Sequence, residues 1–246
     1  MAKPRKIRLL KGFGAIMSLL MMCGVAFAQA SPLEGLSFIK KLKLARAGDD
    51  EAQLSVASDY EKGLNDARQD VVQAARWYRE AALKGNVEAQ FRLAKLVSLG
   101  APGILQDKSA AMKLLQSAAE KGHAPSQNEV GLRLQTGDGV PADLGLAVDW
   151  YKKAVAQNLP GAQVNLGLLM VKGEGLPQDH AEAFKLFTKA SEQGDHWAMN
   201  NLGSMHEMGW GTPKNLDAAR ALYLQAAGKG NHMATANLNR LGVKTQ

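Results

Sequence analysis

A serine and a lysine three residues apart, Ser37 and Lys40, are the pair in this chain that best fits a catalytic motif. In Ser-x-x-Lys enzymes the serine is the nucleophile toward β-lactams, and Ser-Asp-Asn and Lys-Thr-Gly motifs complete the site. The Ser-Asp-Tyr run at 58–60 and the Lys-Thr-Gln run at 244–246 match these companions only in part. A β-lactam-binding or β-lactamase-like enzyme is therefore an alternative interpretation, although so short a motif often arises by chance.

The histidines do not form a metal-ligand pattern. Two ligands on one helix face are commonly four residues apart, and no pair in this chain has that spacing. Most of them lie at predicted helix ends or beside predicted caps. The five are His123, His180, His196, His206 and His232. The sequence predicts no metal site and no cofactor.

One position recurs through most of the chain and defines a repeat. Steps of 36 or 37 residues separate the members of the series Ala52, Ala89, Ser126, Ala162, Ala198 and Ala234, which we call the landmark positions. A series of glycines keeps the same phase, interrupted only by Asn158: Gly48, Gly85, Gly122, Gly194 and Gly230. A repeat of this length indicates an array of supersecondary units that bury their apolar faces against one another.

Each unit is predicted to contain two helices. The second helix has apolar residues at spacings of three and four, as in Ala74, Trp77, Tyr78 and Ala81. An Asp or Asn at its start fits an N-cap, and the glycine at its end fits a left-handed C-cap. The first helix runs from the landmark to a glycine eleven residues later. A lysine such as Lys84 before the closing glycine is expected to favour the helix end by its charge.

These units resemble the Sel-one-like repeat family, a relative of the tetratricopeptide repeats. The glycine loop of that pattern matches residues 137–140 and 173–176, and residues 74–85 match its second half almost completely. The resemblance covers about 49–231 and implies an all-α solenoid, a right-handed superhelix of antiparallel helix pairs that binds proteins in a concave groove. It departs from the family where an aromatic residue is expected, since Tyr60 is followed in that place by Val97, Leu134, Met170 and His206. For His206 we expect a core histidine with its hydrogen bonds satisfied.

The domain organisation follows from the repeat. Residues 1–28 are predicted to be a signal peptide, because a basic start precedes an apolar run and the small-residue site Ala26-Phe27-Ala28. Cleavage after Ala30 and an uncleaved anchor are the alternatives. Residues 29–48 are predicted to be a linker and half-repeat cap, 49–231 five repeats, and 232–246 a capping helix and tail. We therefore expect a periplasmic or secreted bacterial protein with no stable membrane anchor after cleavage.

The charge of the chain is concentrated in the predicted leader. The leader holds five basic residues and no acidic one, so the formal net charge of +7 falls to +2 when it is removed. Nucleic-acid binding requires clustered Lys and Arg on one face of the folded domain, so the high isoelectric point does not support it. The only cysteine, Cys23, also lies in the leader. The mature chain is therefore expected to be stabilised by stacked helices without disulfides.

A candidate groove follows from the helical wheel of the first helices. Positions two, six and nine after the landmark lie opposite the packing face, and the family resemblance places that side in the concave groove. Four apolar residues and one lysine at these positions are candidate partner-binding residues: Lys95, Leu132, Val164, Leu168 and Val171. Contiguous exposed apolar surface often marks a partner site. Burial within a tightly curved array is the alternative.

Three asparagines, Asn165, Asn201 and Asn237, lie three residues after successive landmarks and complete the candidate set. Stacked carboxamides in these places would be able to bond the backbone of an extended peptide. The alternative is that they bond a neighbouring part of the array.

We therefore predict an exported scaffold or adaptor and not an enzyme. Its expected partner is a protein or peptide held in the concave groove, and its expected role is regulation of envelope signalling or of secretion. A factor secreted to act on a host is a further alternative. We expect a monomer with no nucleic-acid partner.

Overall fold

The computed structural model describes residues 33–243, so the predicted leader at 1–28 and the last three residues lie outside it. The described residues divide into two units, 33–36 and 37–243. Within the first, residues 33–36 form a turn in which the Leu36 N–H donates to the Leu33 carbonyl at 3.2 Å. In the second, the described part of the chain contains only helices apart from one isolated bridge between Ala101 and Ile104.

The twelve described helices are arranged in consecutive pairs. In chain order they are α1 (Phe38–Arg46), α2 (Asp50–Lys62), α3 (Val71–Leu83), α4 (Val87–Leu99), α5 (Lys108–Glu120), α6 (Ala124–Thr136), α7 (Leu144–Ala156), α8 (Pro160–Lys172), α9 (His180–Glu192), α10 (His196–Met208), α11 (Leu216–Gly228) and α12 (His232–Arg240). Each even-numbered helix from α2 to α10 packs on the helix that follows it. These pairs are units one to five, with α1 and α12 as half-units at the two ends. The predicted all-α solenoid is confirmed.

The ends of the helices are formed by the residues that the repeat singles out. The N-caps Asp70, Asp107, Asp143, Asp179 and Asn215 each accept a backbone N–H with a side-chain oxygen. The glycine that ends each first helix has a positive φ, as at Gly137 with 75°. Asn158 has φ 61°, so it takes the left-handed conformation of the glycine it replaces. These caps and stops confirm the predicted boundaries of the helices.

A glycine in the middle of three first helices allows a ring of the second helix to approach the backbone. A Cβ on Gly131 would lie 2.8 Å from the ring of Tyr151, and one on Gly167 would lie 2.7 Å from the ring of Phe187. Gly203 is related to Tyr223 in the same way. In these three units the mid-helix glycine is therefore required by close packing between the two helices.

Side chains also connect each of the first three units to the unit or half-unit before it. The Nζ of Lys84 donates to the carbonyl of Gly48, and Lys121 donates to Gly85 at 3.2 Å. Gln157 at the same place donates to Gly122 at 2.9 Å. The lysines were predicted to act through their charge at the end of their own helix. The structure gives them a different partner, the closing residue of the preceding unit, and so they help to fix the register between units.

The glutamine after the landmark has a second connecting role. The buried side chains of Gln53, Gln90 and Gln127 donate to the carbonyls of Ala45, Ala82 and Ala119 at 3.1, 3.3 and 3.1 Å. Each of these carbonyls lies in the last turn of the second helix of the preceding unit, or of α1, and also accepts the backbone N–H of the closing glycine. The glutamine after the landmark thus links neighbouring units by a hydrogen bond.

From the third unit to the fifth, the first helices pack more closely on one another than the second helices do. Direct packing of α6 on α8, and of α8 on α10, is more extensive than that between any consecutive second helices in the described part of the chain. Curvature in a solenoid brings the elements on its concave side closer together. This agrees with the expectation from the family resemblance that the surface of the first helices turned away from the second helices is concave, and we call that surface the inner face.

Candidate partner-binding face

The exposed centre of the inner face lies at three positions of the first helices. These are one residue before the landmark, six after it and ten after it, which project within about 40° of one another at about 100° per residue. Large apolar side chains are exposed there in several units: Leu99, Leu132, Trp197, Met208 and Met233. Trp197 is 46% exposed and Leu132 is 38% exposed. Apolar surface that is left exposed on a repeat array is a candidate partner site.

The predicted groove residues divide into exposed and packed side chains. Lys95 and Leu132 are exposed on the inner face. Leu168 and Val171 are half-buried and pack against the core formed by α8, α9 and α10. Val164 belongs to that core, with 7% exposure, so it offers almost no contact surface of its own. For Val164 the structure matches the alternative of burial within the array.

Position nine after the landmark is partly buried because the second helix reaches it. The hydroxyl of Tyr78 donates to Glu61 at 2.6 Å, that of Tyr151 to Gln135 at 2.8 Å, and that of Tyr223 to Glu207 at 2.9 Å. Where the second helix has Leu115 or Phe187 instead, position nine is Ser98 or Val171. A tyrosine in the second helix therefore occurs with an acceptor in the first.

The same tyrosines are held in their protonated form. Burial raises the pKa of Tyr78 and of Tyr151 above the ordinary value of 10.0, and hydrogen bonding to Glu61 adds to the rise for Tyr78. Burial also raises the pKa of Tyr223, to about 12. These hydroxyls are thus constant donors beneath the inner face and have a structural role.

Two of the three predicted asparagines bond the unit before them. The Nδ2 of Asn165 donates to Oδ1 of Asn128 at 2.9 Å, and that of Asn237 donates to Oδ1 of Asn200 at 3.0 Å. Asn201 occupies the equivalent place in the fifth unit, where the repeat register puts Val164 in the position of the acceptor. Its side chain forms no hydrogen bond with the described residues, and it is half-buried. Asn165 and Asn237 therefore link neighbouring units, whereas the Asn201 amide has no hydrogen-bond partner among the described residues.

The polarity of the inner face changes along the array. In the second unit and at the start of the third, Glu88 bonds both Arg92, at 2.6 Å, and His123, at 3.2 Å, while Lys95 lies over the ring of Phe91. The hydrogen bond from His123, followed by that from Arg92, lowers the pKa of Glu88 to about 2. At the centre of the same face, unit five and α12 expose mainly large apolar side chains: Trp197, Met208 and Met233. Charged groups thus accompany the exposed Leu99 and Leu132 in the N-terminal half of the inner face, whereas the exposed centre of the C-terminal half is mainly apolar.

The sequence interpretation missed three residues of this apolar half, Trp197, Met208 and Met233. They lie one before or ten after a landmark, positions that the helical-wheel reasoning left out. A sequence signal was present, because Trp197 and Met233 are both large and apolar and lie 36 residues apart in the same repeat position. Positions two, six and nine after the landmark include residues on the side of the first helix that packs against neighbouring helices. They therefore do not describe the exposed centre of the inner face.

Two groups of residues have the composition of a catalytic site. His123 lies 2.8 Å from the Ser126 hydroxyl through Nδ1 and contacts Glu88 through Nε2, which is the order of a Ser-His-acid relay. Ser126 is 0% exposed, however, so its hydroxyl is not accessible to a substrate. Ser37 and Lys40 are both exposed at the start of α1, where Ser37 makes no side-chain cap hydrogen bond. Neither group forms an enclosed site.

His206 differs from its expected state as a satisfied core histidine. Its ring meets that of Phe184 edge-on at 5.3 Å, but its Nδ1 is buried without a hydrogen-bond partner. The expectation of full satisfaction is therefore wrong for this nitrogen. Among residues 33–243, no group of three or more His, Cys, Asp or Glu side chains is placed to hold a metal ion. None of the helices described here is both long enough and apolar enough to span a bilayer.

Curated proteins similar to this chain are fungal regulators. A chitin synthase regulator SKT5 of Malassezia restricta is 37% identical over 98 residues, which is 39% of this chain and 7% of that protein. Chitin synthase regulatory factor 3 of Schizosaccharomyces pombe is 34% identical over 112 residues, or 45% of this chain and 12% of that protein. The chain therefore spans only a small part of the length of these relatives.

Solved structures similar to this one are bacterial. A protective antigen of uropathogenic Escherichia coli strains with an SLR fold has a TM-score of 0.75 and 28% identity, covering 85% of this chain and 45% of that one. A Sel1 repeat protein from Oxalobacter formigenes has a TM-score of 0.73 and 30% identity, covering 83% of this chain and 58% of that one.

The family assignment follows from the repeats themselves. The Sel1 repeat model matches five successive stretches, at 50–86, 87–123, 124–159, 160–195 and 198–231. These stretches contain the helix pairs of units one to five, with their caps and stop glycines, and together they make up more than half of the sequence. The chain belongs to the Sel1 repeat family.

Proposed function

We propose that this protein is a protein-binding scaffold that holds a segment of its partner on the inner face. The observation that carries the proposal is the exposure of large apolar side chains, Leu132, Trp197, Met208 and Met233, at the centre of the inner face. Hydrogen bonds join α6, which carries Leu132, to the second unit, and α12, which carries Met233, to α10, which carries Trp197 and Met208, so a partner meets a partly preformed surface. Sel1 repeat arrays generally bind protein partners, and membership of this family supports the proposal.

More specifically, we propose that the protein is an exported adaptor. The predicted signal peptide supports delivery to the bacterial periplasm, where an adaptor would regulate an envelope sensor or a secretion apparatus. The fungal relatives are described as regulators of chitin synthase, and this supports a regulatory scaffold over a catalytic one. Cell fractionation tests the location: the mature chain is expected in the periplasmic fraction, and its retention in the cytoplasm would contradict export.

A second location is favoured by one comparison. The similar Escherichia coli structure is that of a protective antigen, which supports a chain exposed to a host. Protease treatment of intact cells separates this candidate from the periplasmic adaptor. Digestion of the chain on intact cells, or its recovery from the culture medium, would favour the host-facing role, whereas full protection inside intact cells would favour the periplasm.

The binding proposal is tested by photocrosslinking from the inner face. A benzoylphenylalanine placed at Leu168 is expected to capture a partner in the producing cells, and mass spectrometry then identifies it. The same amino acid at Leu146, an exposed residue of the second helix α7, is the matched control. Equal capture from both positions would contradict a binding surface on the inner face.

A further inference from the structure

The surface of the second helices that is turned away from the first helices, which we call the outer face, carries a band of basic side chains. The band lies at positions six, nine and ten after the N-cap of each second helix. Of the fifteen residues at these positions seven are basic and two, Glu80 and Asp149, are acidic, so their net charge is +5. The chain without its leader carries only +2, so the rest of it is net acidic. The seven basic residues are all exposed, and we call them the outer belt: Arg76, Arg79, Lys113, Lys152, Lys153, Lys185 and Lys189.

Most of the outer belt has no acidic partner in the folded chain. Lys185 pairs with Glu182 at 2.9 Å, and the other six residues of the belt form no ion pair with residues 33–243. Two further acidic residues, Glu120 and Glu192, lie one turn farther along, at the ends of α5 and α9. Packed helices are about 10 Å apart, which is about the Debye length at 0.1 M salt, so the positive charges of neighbouring units act together.

Apolar side chains accompany these charges on the outer face. Trp150 is half-buried, and the Nζ of Lys153 lies 3.7 Å from the centre of its ring. Trp77 takes the same repeat position in unit one and is also half-buried. Leu83, one turn after Arg79 on α3, is 77% exposed. Tryptophan and lysine side chains, which have an apolar body and a polar end, are suited to the boundary between a bilayer and water.

We propose that the outer belt binds the anionic headgroups of a lipid bilayer, with Leu83 reaching the boundary between headgroups and acyl chains. Headgroup phosphates attract lysine and arginine side chains and accept their hydrogen bonds. The exposed leucine and the two tryptophans favour a bilayer over a nucleic acid, because the sugar-phosphate backbone of a nucleic acid offers no apolar layer for them. The contact is peripheral, so the chain lies on the bilayer surface.

The outer face and the inner face lie on opposite sides of each helix pair. A chain bound to a bilayer through the outer belt therefore turns its inner face toward the aqueous phase, where a protein partner can reach it. The inference does not depend on the proposed function, since either surface can fail its test while the other passes.

The test measures sedimentation of the purified protein with lipid vesicles. Vesicles of phosphatidylcholine and phosphatidylglycerol, mixed about three to one, are expected to bind the protein, and the binding is expected to weaken strongly in about 0.5 M salt. Vesicles of phosphatidylcholine alone are expected to bind it much more weakly. The leader sequence is the same in every variant, so the comparison between variants reports on the outer face.

Two double variants with the same loss of charge separate the outer belt from a general effect of net charge. Arg79→Gln with Lys152→Gln is expected to weaken vesicle binding about twentyfold, because each basic residue near an anionic surface contributes about fivefold. Lys62→Gln with Lys172→Gln removes the same charge from exposed lysines of the inner face and is the matched control. It is expected to bind as the wild type does, and circular dichroism confirms that each variant is folded.

Leu83→Asn tests the apolar part of the contact. Because the side chain is exposed, the variant is expected to fold normally and to bind vesicles about fivefold more weakly, in high salt as well as in low salt. An unchanged affinity would contradict the contact of Leu83 with the bilayer.

Equal losses from the two double variants would overturn the inference, since they would show that net charge and not the outer belt determines the binding. It would also be overturned if the anionic vesicles did not bind while a single-stranded oligonucleotide bound and lost its affinity with Arg79→Gln and Lys152→Gln. That result would assign the outer belt to a nucleic acid. Neither result would affect the capture of a protein partner from Leu168 on the inner face.

Discussion

Arg240 on α12 donates two hydrogen bonds to the carboxylate of Glu207 on α10, with nitrogen–oxygen distances of 2.6 and 2.7 Å. The same carboxylate accepts a hydrogen bond from Tyr223. Because α12 has no second helix of its own in the described chain, this ion pair is a main polar connection between the last half-unit and the fifth unit. The hydrogen bonds from Arg240, and then that from Tyr223, lower the pKa of Glu207.

The stability of the C-terminal end is therefore expected to fall in acid. A carboxylate with a lowered pKa in the folded state stabilises fully above its unfolded value, which for Glu207 is 4.5. This contribution is lost as the pH falls below that value and through the folded-state pKa. Arg240→Met is expected to lower the melting temperature at neutral pH and to reduce its further decrease in acid.

The melting temperature is followed as a function of pH for the wild type and the variant. Lys185→Met is the control, because Lys185 pairs with Glu182 on an exposed helix surface where ion pairs contribute little. A pH profile of Arg240→Met that runs parallel to the wild type would show that Glu207 does not carry this dependence.

The pairing of a tyrosine with an acceptor in units one, three and five predicts the effect of introducing the same pair in unit four. Phe187→Tyr places a hydroxyl beneath Val171, which cannot accept a hydrogen bond, and it is expected to destabilise the protein by about 1–3 kcal/mol. Adding Val171→Gln reproduces the Tyr151–Gln135 pair of the third unit and is expected to recover most of that loss.

Urea unfolding of the two single variants and the double variant gives the coupling free energy. The expected sign is favourable, since the hydroxyl and the amide bond each other only when both are present. Strict additivity of the three free energies of unfolding would show that the correlation along the repeats does not reflect this hydrogen bond.

At the mid-helix glycines, we expect alanine to lower the stability of the protein although it raises the helix propensity. Gly167→Ala is expected to destabilise by about 1–3 kcal/mol, because the new Cβ would lie 2.7 Å from the ring of Phe187. Gly228→Ala is the matched control in α11, where nothing lies within 4 Å of an added Cβ. It is expected to stabilise by up to about 1 kcal/mol through helix propensity. Thermal unfolding of both variants decides between close packing and simple tolerance at Gly167.

Local features of this fold were predictable because they depend on residues near one another in the chain. The cap at Asp70 and the stop at Gly137 are recognised by their own chemistry and spacing, and each unit repeats them. The exposure of the inner face was less predictable, because it depends on groups one unit away. Val164 is buried by the packing of α8 against its neighbours, which a helical wheel of one helix does not contain.

The asparagines three residues after the landmarks show the same limit of prediction. Comparing residues one repeat apart resolves it. Asn165 and Asn201 look equivalent in the sequence, since both lie three residues after a landmark. Their environments differ because the residue 37 positions earlier is Asn128 in one case and Val164 in the other. Residues 37 positions apart in the sequence therefore have to be compared as pairs. Such pairs distinguish the asparagines that bond the preceding unit from Asn201, which does not.

The most direct test of the inner face as the binding surface is one pair of affinity measurements on the partner captured by crosslinking. Leu132→Lys places a charge on the inner face, and Leu146→Lys places the same charge on the second helix of the same unit, at a site of similar exposure. We expect Leu132→Lys to weaken binding about tenfold or more and Leu146→Lys to leave it unchanged. Equal affinities for the two variants, or a loss confined to Leu146→Lys, would contradict the account.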